Sequence, residues 1–149
     1  MLGGDEYPST AIGINLPNAD WIRAQYGSKS ITIGNLTHAY NQASRGNGFI
    51  EELAINDESI RSLINLYGDL CDDLHTDLHE CLGHGSGQLL PGVSADALGS
   101  YGSTIEEARA DLFGLYYIAD SKLVQLGLTP NAEAYRAQYY TYMMNGLLT

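Results

Sequence analysis

The stretch His79-Glu80-Cys81-Leu82-Gly83-His84 decides how this chain reads. It places two imidazoles and a carboxylate within six residues. Residues four apart on an α-helix differ by ~40° about its axis, so two such side chains meet one ion. Residues five apart differ by ~140° and point to different sides of a regular helix. Two nitrogens on one zinc must each sit ~2.0–2.1 Å from it. If His79 and His84 share a metal, the turn between them must absorb one extra residue, most simply as a π-bulge. Gly83 lies inside the insertion, where a missing Cβ makes distorted backbone cheap. The spacing therefore predicts a widened or broken turn at 81–84.

Working outward, a second acidic cluster follows at Glu106-Glu107-Ala108-Arg109-Ala110-Asp111. A catalytic zinc commonly takes three protein ligands and leaves a fourth position for water. Glu106 or Glu107 supplies the third ligand, and Glu80 stands beside the metal as general base. Asp111 shares a helix face with Glu107 and is placed to orient a ligand histidine through its other ring nitrogen. Arg109 is expected to pair with a neighbouring carboxylate. Two plainer readings compete. His75 and His79 are four apart and form a metal face on a regular helix. Ser103 with Glu106, or Thr104 with Glu107, fits a helix-capping box.

At these residues the chain resembles the dipeptidyl peptidase III family of zinc peptidases. That family's signatures are His-Glu-x-x-Gly-His and Glu-Glu-x-Arg/Lys-Ala-Asp/Glu, and both occur here in that order. The run Gly83–Leu89 also looks like the family's, and Gly13-Ile14-Asn15-Leu16-Pro17-Asn18 is similar to its Gly-Ile-Asn-x-Pro-Asn stretch. The resemblance implies one zinc ion on His79, His84 and Glu107, with Glu80 as general base. It implies Glu106 and Asp111 as partners of the ligands, and Asn15 and Asn18 as contacts for the substrate's N-terminal end. Short peptides are the implied substrates, and release of dipeptides from their N-termini the implied activity. Family members are several times longer and two-lobed, so the chain is expected to be an excised central part of the catalytic lobe. Its other partner is then the remaining lobe, and the 149 residues alone are expected to be weakly active or inactive.

Composition bounds the rest. At 149 residues the chain is one domain's worth, able to bury roughly 68–70% of its unfolded surface. Seven basic against 18 acidic residues give a net charge of −11, which argues against nucleic acid as a partner. No apolar run approaches the ~20 residues of a membrane span, and no secretory signal opens the chain. Cys71 and Cys81 lie ten apart on one helical stretch, ~15 Å at 1.5 Å per residue, too far for a disulfide. Free thiols suit a reducing compartment, and a cytoplasmic location is expected.

The expected fold is mainly α: a helical zinc-binding domain with a long N-terminal loop over 3–19 that holds a short strand near 11–16. A glycine-rich loop at 85–102 joins the two metal-binding helices. Further helices are expected at 20–26 (capped by Asp20), 35–43, 57–67, from Asp69 through the metal motif, 104–126 and 132–148. Gly68 is expected to break or kink the chain between two of them. Leu70, Leu74, Leu78 and Leu82 read as a core stripe, and Asp72, Asp73 and Asp77 as a solvated face. The function expected is zinc-dependent peptide-bond hydrolysis. The alternatives are a non-catalytic zinc-binding structural domain or a metallohydrolase with another substrate.

Overall fold

A computed structural model describes residues 12–17 and 19–147. Asn18 and most of the N-terminal loop expectation lie outside these residues. The described residues are mainly helical, with one two-stranded antiparallel sheet. Strand β1 (Gly13–Leu16) pairs with β2 (Lys29–Thr32) in the register Asn15 opposite Ser30. Between them runs α1 (Asp20–Tyr26), whose N-cap is Ala19 and not Asp20. Next come α2 (Gly34–Ser44) and the short α3 (Phe49–Leu53). The strand β2 and the helix α3 were not expected: four residues and five residues are too short to show a period.

Helix α4 (Glu58–Leu78) starts where the Asp57 carboxylate accepts from the Ser59 amide at 2.9 Å, an ordinary N-cap. It runs without interruption through Gly68. The expectation of a break there is wrong. One glycine in a helix costs only about 0.5–1 kcal/mol, and packing of α4 against its neighbours overrides it. The helix then widens into a six-residue π-turn, His79–His84, as the spacing predicts.

Helix α5 (Gly102–Ile118) follows the glycine-rich loop and a single 3₁₀ turn, Gly99–Tyr101. It starts at Gly102 with Tyr101 as N-cap and no side-chain cap, so neither Ser103 nor Thr104 builds a capping box. The long helix expected over 104–126 is instead two. Asp120 accepts from the Lys122 amide at 2.8 Å and restarts the chain as α6 (Ser121–Gln125). The last helix, α7 (Arg136–Asn145), starts later than expected. The Asn131 side chain takes the amides of Glu133 and Ala134 at 2.9 and 3.0 Å, holding that segment in a turn.

Two apolar clusters hold these helices together. Cys71, Ile118, Leu123 and Ala134 form one, with Leu74, Leu78 and Tyr139 against it. Ala54, Ile64 and Met144 form the other. The leucine stripe is therefore core only at its centre; Leu70 and Leu82 are each 39% exposed. A four-residue step advances ~40° per repeat, so a stripe of four drifts off the buried face at both ends.

Candidate metal centre

Besides the local bonds from Gly85, Ser86 and Gly87, other elements hold the carbonyls of the widened turn. The Glu80 carbonyl accepts from Asn15 Nδ2 at 3.2 Å. The Gly83 carbonyl accepts from an Arg109 Nη2 at 2.7 Å, and that of His84 from an Arg23 Nη1 at 3.1 Å. Side chains from β1, α1 and α5 thus supply donors where the regular helical ladder is disturbed. Gly83 has a second reason to be glycine. A Cβ there would lie 2.7 Å from both Cα and Cβ of Ala110, so α5 crosses the turn at a distance only glycine allows.

That crossing brings the two motifs together. His79 Nε2 and His84 Nε2 are 3.0 Å apart. Glu107 Oε2 lies 3.3 Å from the first and 3.5 Å from the second. Their rear nitrogens are spoken for: His79 Nδ1 is 2.8 Å from Asp111 Oδ1, and His84 Nδ1 is 3.1 Å from Glu106 Oε1. An ionised carboxylate only accepts, so each Nδ1 carries the proton and each Nε2 presents a lone pair. Glu106 stays ionised: burial pushes its carboxyl up, but the bonds from Arg109 and His84 outweigh this and hold it below its usual range. With both rings in that tautomer, two imidazole lone pairs and a carboxylate oxygen converge, an arrangement suited to a cation.

Zinc fits that set. Four ligands at ~2.0–2.1 Å in a tetrahedron stand ~3.3 Å from one another, and the three observed separations bracket that edge. Two histidines and one glutamate leave the fourth position open, as in catalytic zinc sites. His79, His84 and Glu107 are also the group of potential ligands that the described residues bring together.

His75 does not join them. It is buried, and its Nε2 lies 3.3 Å from the Asp111 carbonyl while Gln138 Nε2 donates to its Nδ1 at 3.1 Å. Burial holds its pKa below the usual histidine value, so it is a neutral packing residue. Gly114 leaves room for the ring. Asp72 accepts from Gln138 at 3.3 Å and supports no metal-facing histidine. Arg109 pairs with Glu106 at 2.6 and 2.8 Å, as its position suggested.

Beside the metal set, a cleft of about 400 Å³ is lined by Gly13, Asn15, Arg23, Glu80, His84 and Glu107, among others. Glu80 is only 7% exposed, and burial raises its pKa. Its Oε2 has no hydrogen-bond partner among the described residues. Gly13 lies so close that a Cβ there would stand 2.5 Å from Glu80 Oε1. Asn15 spends its Nδ2 on Ser28, Ser30 and the Glu80 carbonyl, while its buried Oδ1 has no partner. Arg23, which lines this cleft, Gln138 beside His75 and Tyr142 beside Asp111 belong to no motif.

Residues 7–98 match the family described as Peptidase family M49, a span that holds the first motif and ends before the second. Relatives named dipeptidyl peptidase 3 align with the chain. The Dictyostelium discoideum protein is 27% identical over 89% of this chain and 23% of its own length. The Homo sapiens protein is 36% identical over 52% of this chain and 10% of its own. The Mus musculus protein is 26% identical over 88% and 21%. The chain thus spans less than a quarter of the length of these relatives.

Proposed function

Because the chain belongs to peptidase family M49, we propose that it carries the zinc-bearing centre of a longer two-lobed enzyme that hydrolyses peptide bonds and releases dipeptides from peptide N-termini. The observation that carries this reading is the convergence of three acceptors, His79 Nε2, His84 Nε2 and Glu107 Oε2, beside the buried carboxylate of Glu80. Zinc bound there supplies Lewis-acid polarisation of a carbonyl and lowers the pKa of a water. The rest is done by the chain's own residues. Asp111 and Glu106 keep both ligand imidazoles in the Nδ1–H form. Glu80 accepts the proton of the attacking water on its carboxylate and returns it to the leaving amine nitrogen as the C–N bond breaks. Its raised pKa, set by burial, brings it nearer the working pH of a general base.

Asn15 enters this reading in a restricted form. With its Nδ2 spent, it meets substrate only through Oδ1, an acceptor suited to the N-terminal ammonium of a peptide. Asn18 is retained as a second contact on the resemblance alone. Both thiols are free, which accords with a cytoplasmic location, and no helix among the described residues is long and apolar enough to cross a membrane.

The test is metal titration joined to inhibitor binding and turnover. The zinc-loaded chain is expected to bind a peptide hydroxamate, which needs the open fourth position, and to lose both ligands in His84→Ala. Glu80→Gln is expected to keep zinc and hydroxamate, while the same change in the full-length enzyme lowers hydrolysis of a dipeptidyl arylamide by about 10²–10⁴-fold. Unchanged hydrolysis in Glu80→Gln would remove its general-base role.

A further inference from the structure

Helix α7 contributes no residue to the acceptor set, yet it reaches the site. The Tyr142 hydroxyl donates to Asp111 Oδ2 at 2.8 Å, while Asp111 Oδ1 accepts from His79 Nδ1 at 2.8 Å. The two oxygens of one carboxylate are thus claimed from opposite sides by α7 and by the π-turn. The Asp111 backbone is fixed as well, through the bond between its carbonyl and His75. The Tyr142 ring is held edge-on to the His75 ring, with centroids 5.5 Å apart. The phenol is a permanent donor at neutral pH: burial, then the bond to Asp111 and its charge, push its pKa up to about 12. The Asp111 side chain is 34% exposed, so without the hydroxyl Oδ2 turns to water and the carboxylate is restrained chiefly through Oδ1.

We infer that Tyr142 is a positioning residue for the metal centre: its hydroxyl locks the Asp111 carboxylate in the rotamer that keeps His79 as the Nδ1–H tautomer with Nε2 aimed at the metal. This rests on the reading of His79, His84 and Glu107 as a metal set, and it adds α7 to the elements that set the site's affinity. A carboxylate behind a ligand histidine is typically worth 10- to 100-fold in metal affinity. Tyr142 acts one bond further out and at a half-exposed position, so its removal should cost about three- to tenfold.

The experiment compares wild type, Tyr142→Phe, Asp111→Asn and the double variant. Zinc affinity is measured by chelator competition, and the His79 tautomer of the metal-free protein by long-range ¹H–¹⁵N NMR above pH 8. Tyr142→Phe keeps the ring on His75, so its metal-free circular dichroism and melting temperature should match wild type. Its zinc affinity should fall by about three- to tenfold, and the His79 signal should move from a pure Nδ1–H form towards a mixture. In the Asp111→Asn background the same change should add nothing, because the carboxylate through which Tyr142 acts is gone. Equal affinity and an unchanged tautomer in Tyr142→Phe would overturn the inference while leaving the metal centre standing. A full further loss in the double variant would also overturn it, as the mark of a general packing role. A wild-type chain that binds zinc no better than His79→Ala would refute the metal centre itself, and the inference with it.

Discussion

Two successive pieces of one helical run behave differently. Through Leu78 the run is a regular α-helix, and its histidine, His75, is buried with both ring nitrogens bonded inside the protein. Over the next six residues the run is a π-turn, and its two histidines each keep one nitrogen for the same point in space. The same side chain serves as packing in one piece and as a ligand candidate in the other. What separates them is the backbone. Both pieces have local donors for their carbonyls, but the Glu80, Gly83 and His84 carbonyls of the widened one also accept from Asn15, Arg109 and Arg23, which pins it to β1, α5 and α1. A π-turn is locally costly, and here it is stable because it is cross-braced.

The contrast can be broken most severely at the histidines. His84→Ala is expected to reduce zinc affinity by more than about 100-fold, beyond what an outer partner costs, with a small change in stability of the metal-free chain. His75→Ala should do the reverse. Zinc stoichiometry stays at one, while stability in urea falls by about 2–4 kcal/mol from the cavity and the unpaired Gln138 amide. A His75→Ala chain that lost its zinc would erase the distinction.

The glycines sharpen it. Gly83→Ala forces a Cβ against Ala110 and is expected to cost about 1–3 kcal/mol and to weaken zinc binding together. In Gly68→Ala the new Cβ would meet only Ile64 Cγ2 at 3.7 Å, an ordinary contact. That variant should gain about 0.5–1 kcal/mol, because the helix there is regular. Thermal or urea unfolding of the two variants reads the opposite signs directly; a stabilising Gly83→Ala would mean that α5 does not cross the turn closely.

The smallest effect is chemical. Cys71 is fully buried in the regular piece, where burial and then the Asp72 charge push its thiol up to about 11. Cys81 is exposed on the widened turn. Iodoacetamide at neutral pH should label Cys81 alone, with little change in stability, and reach Cys71 only in denaturant, as counted by mass spectrometry.

Much of the site was legible in the chain alone, and the reason is arithmetic. Two histidines five positions apart do not fit a 3.6-residue turn, so sharing a metal demands an insertion, and Gly83 stands where an insertion is cheap. The alternation of Glu, Arg and Asp at 106–111 likewise states which groups face one side of a helix. Helix ends were less legible. The restart at Asp120 and the late start of α7 depend on side chains that divert backbone amides locally, and capping residues such as Ser103 were present but unused. Asn15 shows the limit most clearly. Its resemblance to a substrate-binding position is a matter of sequence, but the loss of its Nδ2 to Ser28, Ser30 and Glu80 is a matter of β1 lying on the turn.

The sequence by itself determined the chemistry available: which six residues hold the imidazoles, which carboxylates follow, and that the turn between the histidines must be abnormal. Periodicity and residue type are local properties, and local properties suffice for that. Spacing alone left Glu106 and Glu107 both open; the tertiary structure puts Glu107 Oε2 3.3 and 3.5 Å from the two Nε2 atoms, the residue that the family resemblance implied. Only the tertiary structure decided which rear nitrogen each partner takes, Glu106 that of His84 and Asp111 that of His79, and that Tyr142, 31 residues from Asp111, stands behind Asp111. Those assignments depend on how α5 crosses the widened turn and how α7 packs against α4. A crossing angle is set by packing between elements far apart in the chain, and no spacing within either element encodes it.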